Sequence, residues 1–96
     1  MTTTTALPAP AAFYETKGHG YYEVDAAHIV TACFEHGMKA PSRFSYFSKA
    51  TGCFYLEEDV DAPAYFAAAG LDFASTAARL PYLKRGLPSG ARRIAW

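Results

Sequence analysis

Apolar residues in this chain fall into short clusters separated by glycine, proline and acidic breaks, and the spacing inside each cluster predicts its element. Residues 13–24, FYETKGHGYYEV, read as strand, turn, strand. Phe13-Tyr14 and Tyr21-Tyr22 suit a pleated surface, and Lys17-Gly18-His19-Gly20 supplies glycines for a tight turn. Asp25 then stands where a helix N-cap belongs. Ala26, Ile29, Val30, Cys33 and Phe34 follow at helical spacing, and Gly37 marks the stop. After Pro41, Arg43–Lys49 and Cys53–Glu57 predict a second hairpin closed by Ala50-Thr51-Gly52. Ala62–Ala69 predicts a second helix, started by Asp59 or Asp61 with Pro63 in its first turn and ended by Gly70. Phe73, Ala77, Leu80 and Leu83 keep a helical stripe after Asp72, with a kink or break at Pro81.

The predicted order is β β α β β α α. It implies an α+β fold: a small antiparallel sheet of two hairpins with helices packed on one face. Residues 1–12 read as a flexible N-terminal arm, 13–85 as one domain and 86–96 as a basic C-terminal tail. Ninety-six residues suit one domain with one modest core. Aromatics at 16% can serve that core, while charged residues at 19% are too few for a disordered polyelectrolyte.

Charge changes the picture. Net charge is zero, yet residues 1–72 carry nine acids and four bases, and residues 73–96 carry five bases and no acid. The chain is thus split into −5 and +5, a dipole able to steer a partner or to fold back on itself. Cys33 and Cys53 are the two cysteines. With no leader-like or membrane-length apolar segment, the expectation is a cytoplasmic protein with reduced thiols and no membrane attachment.

Residues 52–61, GCFYLEEDVD, end a strand-like run in four carboxylates: Glu57, Glu58, Asp59 and Asp61. An EF-hand loop needs a central glycine that is missing here, so a helix start explains them better than a metal. An acidic docking surface is compatible with that helix start. Cys33-x-x-His36 lacks the paired spacing of a zinc knuckle, and no G-x-S-x-G elbow occurs. A thiol on the apolar face of a helix behaves as a small core residue. The expectation is therefore no enzyme, no metal and no cofactor.

Two binding readings remain. In the first, a protein or ribonucleoprotein partner is held by the acidic corner Glu57, Glu58, Asp59 and Asp61 and by the basic end Arg79, Lys84, Arg85, Arg92, Arg93 with Trp96. Tyr, Trp and Arg are the usual interface anchors, and this chain has seven Tyr. In the second, Phe44, Tyr46, Phe54 and Tyr55 with Arg43 and Lys49 form a nucleic-acid platform on the second hairpin, with the basic tail following the backbone. Zero net charge and the missing RNP and G-x-x-G motifs weigh against it. Homodimerisation through an edge strand is a further expectation. In size and in lacking catalytic motifs, the chain resembles the small inhibitors carried by phages and plasmids, anti-CRISPR and other anti-defence proteins among them. That resemblance implies a non-enzymatic blocker and carries over no residue.

Overall fold

A computed structural model describes residues 5–95. Trp96 lies outside them. Strands β1 (Ala12–Thr16) and β2 (His19–Asp25) form a hairpin, followed by helix α1 (Ala26–His36). A second hairpin, β3 (Tyr46–Ser48) and β4 (Cys53–Glu57), leads to α2 (Ala62–Ala69) and the five-residue α3 (Phe73–Ala77). Two short strands close the chain, β5 (Tyr82–Leu83) and β6 (Arg92–Arg93). Among the described residues the six strands make one mixed sheet in the order β5-β1-β2-β4-β3-β6.

The α+β class and the two hairpins agree with the sequence reading. The antiparallel-only sheet is corrected, because β5 runs parallel to β1. Leu83 accordingly lies in a strand and not on a helical stripe. Pro81 ends the helix register, and its carbonyl accepts the Phe13 N–H at 2.9 Å, which docks the segment on β1. The described part of the expected tail, residues 86–95, is not free either. Leu87 packs on the sheet, and β6 pairs with β3.

Local signals account for the elements that were anticipated. The Asp25 carboxylate accepts the Ala27 N–H at 2.9 Å, capping α1, and Gly37 closes it with φ of 71°. The first hairpin turns on Lys17 and Gly18, whose φ values of 50° and 80° suit a two-residue primed turn. Gly20 lies within β2 because a side chain cannot. A Cβ there would meet the Phe13 ring at 2.3 Å and the Glu58 carboxyl carbon at 2.8 Å.

Cross-strand register divides the sheet into two faces. Phe13 pairs with Tyr22, Tyr22 with Leu56, and Val24 with Phe54. This face meets the helices, and Tyr22, Val24, Ile29, Ala32, Leu56, Tyr65 and Phe66 form the main core. Tyr14, Tyr21 and Tyr55 lie on the opposite face with Ala12, and no helix is part of that cluster. Leu83 and Leu87 pack there instead. Residues 84–91 join the two outermost strands, so they cross this face as a strap. Five strand spacings amount to about 24 Å, and nine extended residue steps reach about 30 Å, so the strap has little slack.

The described part of the N-terminal arm is packed, not free. Leu7 belongs to the main core, and Pro10 is buried. The Tyr65 hydroxyl donates to the Pro8 carbonyl at 2.7 Å. The Thr5 N–H donates to Glu35 Oε1 at 2.7 Å, and His36 Nε2 donates to the Thr5 carbonyl at 2.8 Å. The outward helix face of α1 is also corrected. Ile29 and Ala32 point into the core, whereas Val30 and Phe34 are 55% and 86% exposed. No helix among the described residues is long and apolar enough to cross a membrane.

Candidate functional site

The strand ends around the β1–β2 turn enclose an open cleft of about 660 Å³ on the tyrosine face. Thr16, Lys17 and His19 come from the turn, Tyr21 from β2 and Tyr46 from β3. Glu57 ends β4, and Asp59 and Val60 belong to the loop that leaves it. Phe44 and Arg93 complete the lining.

Pairing explains the convergence. Tyr21 stands opposite Glu57, and Tyr46 stands opposite Arg93, so four side chains share one face. The Tyr21 and Tyr46 rings meet edge to face, 5.5 Å between centroids. The Arg93 guanidinium sits 5.2 Å from the Tyr46 ring centroid and donates to the Tyr46 hydroxyl at 2.9 Å. Burial pushes the Tyr21 phenol above its ordinary range, as do the neighbouring Tyr46 and Glu57, while Arg93 opposes them. Tyr21 therefore keeps its proton at neutral pH and offers a neutral hydroxyl. The cleft sets the cations Lys17 and Arg93 against the carboxylates Glu57 and Asp59, with aromatic walls between them. Phe44 and Val60 are 46% and 45% exposed along it.

The four carboxylates of the opening stretch are not one surface. Alternation along β4 puts Glu57 on the tyrosine face and turns Glu58 to the helix side. Glu57 is buried, and its Oε1 accepts the Asp59 N–H at 2.7 Å. Glu58 packs beneath Gly20 and is half-buried. Asp59 is exposed. Asp61 is buried and accepts from the Ser42 N–H at 3.0 Å, the Ser42 hydroxyl at 2.8 Å and the Ser45 hydroxyl. It occupies the N-cap position of α2, yet its side chain makes no cap bond. A buried carboxylate that already accepts three hydrogen bonds on one oxygen is engaged within the fold, so Asp61 leaves the docking surface and joins the scaffold.

The basic residues are dispersed as well. Arg93 reaches the cleft. Arg79 is exposed after α3, and Lys84 and Arg85 lie on the strap, outside the cleft lining. The Arg85 guanidinium lies 6.0 Å from the Tyr14 ring centroid. Arg92 faces away from the tyrosine cleft, paired with Phe47.

The expected platform is split too. Arg43 and Phe44 sit in a turn, where the Ser45 N–H donates to the Ser42 carbonyl at 3.1 Å. Asp61 holds that turn in place and shortens β3 to three residues. Phe44 and Tyr46 line the tyrosine cleft, whereas Lys49 lines a second cleft with Phe47 and Phe54. Lys17, His19 and Tyr21 were not in either sequence-derived set. His19 belonged to the predicted glycine turn, but only the pairing of β2 with β4, and of β4 with β3, puts it on one cleft with Glu57 and Tyr46.

Cys33 packs against the main core and Cys53 against the tyrosine cluster, so the thiols lie on opposite faces and are unpaired. Burial pushes both thiols up. No group of three or more His, Cys, Asp or Glu among the described residues is placed to hold a metal ion. Comparison with family models, with curated proteins and with solved structures finds no match to this chain.

Proposed function

We propose that this protein is a non-enzymatic binding module that docks on a protein or ribonucleoprotein partner through the tyrosine cleft and blocks the surface it covers. The observation that carries this reading is the pair of exposed apolar side chains, Phe44 and Val60, along a cleft walled by Tyr21, Tyr46 and Arg93. Tyr, Phe and Arg around a recess, with charges at its edge, are the composition of an interface centre and its rim. Lys17 and Arg93 would meet acidic groups of the partner, and Asp59 a basic one. On this reading the mode of action would be that of the small phage- and plasmid-borne anti-defence inhibitors that the chain resembles in size.

An affinity-tagged chain incubated with host lysate, with and without nuclease, tests the proposal when captured proteins are identified by mass. The expected result is a protein retained through nuclease treatment and lost with Phe44→Asp. Removing an aromatic anchor of this kind weakens binding roughly 30-fold. Capture that disappears with nuclease, or that is indifferent to Phe44→Asp, sinks this reading.

A further inference from the structure

The second cleft lies on the other face of the sheet, at its β3–β6 edge, with a volume of about 760 Å³. Its floor is Phe47 and Phe54, which stand opposite each other on β3 and β4 with ring centroids 4.9 Å apart. Phe54 packs partly against the helix-covered core, while Phe47 lies beyond it, so the helices leave this corner of the sheet open. Both residues are half-buried. Lys49, Arg92 and Arg93 line the same cleft, and no carboxylate does so among the described residues. In a chain of zero net charge, that makes the corner a local cationic recess.

We propose that this recess binds single-stranded nucleic acid, with bases stacking on Phe47 and Phe54 and phosphates held by Lys49 and Arg92. Charge complementarity selects a polyanion, and the tandem rings select one that offers flat faces. Bases of a single strand splay out and stack on aromatic side chains, whereas those of a duplex are already stacked on each other. An acidic peptide or an anionic membrane would satisfy the cations without using the ring faces. The site differs in part from the platform expected from sequence: Lys49, Phe54 and the tail residue Arg92 remain, Phe47 joins them, and Arg43, Phe44, Tyr46 and Tyr55 do not line the recess. It shares Arg93 with the tyrosine cleft at the β3–β6 edge, but Phe47, Phe54, Lys49 and Arg92 line only this recess, so it stands or falls apart from the protein-binding reading.

Fluorescence anisotropy of a short labelled oligothymidylate, titrated with the full chain, tests it. The expected result is saturable binding that weakens about seven-fold between about 50 and 200 mM salt, as two phosphate contacts require. Lys49→Gln and Arg92→Gln each flatten the salt slope by about 0.7, and Phe47→Leu weakens binding roughly five-fold or more at constant salt. Because Phe47 lies outside the main core, Phe47→Leu should unfold at the same temperature as the parent chain. If it does not, the slopes of the two charge variants decide the question. No anisotropy change at low salt overturns the proposal. So does binding that ignores all three substitutions, equal binding of a duplex with the same insensitivity to Phe47→Leu, or association with anionic vesicles in place of the oligonucleotide. Dimerisation that Phe47→Leu abolishes would give the recess to a second copy and overturn it likewise.

Discussion

Asp61 and Asp59 stand two residues apart and have opposite environments. Asp61 takes hydrogen bonds from both serines of the 42–45 turn, and the Ser45 hydroxyl in turn accepts the Glu57 N–H at 2.9 Å. One carboxylate thus ties the start of β3, the end of β4 and the approach to α2. Replacing it by Ala leaves buried donors unmatched, and Asp61→Ala should cost about 3 kcal/mol of unfolding free energy. Asp59 is exposed, and Asp59→Lys should leave stability within about 0.5 kcal/mol. Urea denaturation midpoints of the two variants check both values. Equal effects would show that the serine turn does not depend on Asp61. In sequence the two residues are indistinguishable, since both are acids just ahead of a helix. Which one is buried depends on where the 42–45 turn lands.

At the scale of elements, the β1–β2 turn and the β4–α2 loop bring several charges together around Glu58. Burial pushes the Glu58 carboxyl above the usual carboxylate range, and Asp59, Glu57 and Glu15 push it further, while His19 opposes them. A carboxyl raised in the folded chain stabilises the fold in its protonated form. That contribution is present in acid and is lost as pH rises through the raised folded value. At neutral pH the ionised group is therefore a burden, and Glu58→Gln should raise the thermal midpoint at pH 7. The advantage should shrink as pH falls and Glu58 takes up its proton. A midpoint difference independent of pH would contradict it. The hairpins and the two longer helices were legible because their signals are local: caps at Asp25 and Gly37, the glycine turn at 18 and the glycine loop at 52. The helical stripe through Leu83 failed for a physical reason. Pro81 can neither donate to a helix nor continue one, and β1 offered its free edge to Tyr82 and Leu83.

For the molecule as a whole, the strap decides which surfaces are covered. The helices bury one face of the sheet, and residues 84–91 bury much of the other as they cross from β5 to β6. Tyr55 is fully buried there, its hydroxyl donating to Glu23 and accepting from Thr51, both at 2.8 Å. Burial pushes the Tyr55 phenol well above its ordinary value, aided by Glu23. Leu87 is the half-buried contact of the strap with this cluster. Leu87→Ser should cost about 2 kcal/mol and make the Tyr55 hydroxyl easier to ionise. Thermal unfolding and an ultraviolet titration of the tyrosines report the two effects. An unchanged titration would mean that the strap does not shield the cluster. By itself the sequence determined the α+β class, the caps and turns, the two hairpins and the zero net charge, because each follows from neighbours a few residues apart. The tertiary structure alone decided that a basic tail becomes a strap and an edge strand, that an acidic run is dispersed among cleft, core and solvent, and that two recesses open on opposite faces. Those outcomes depend on which strand edges pair across long stretches of chain, and spacing along the sequence carries no record of that pairing.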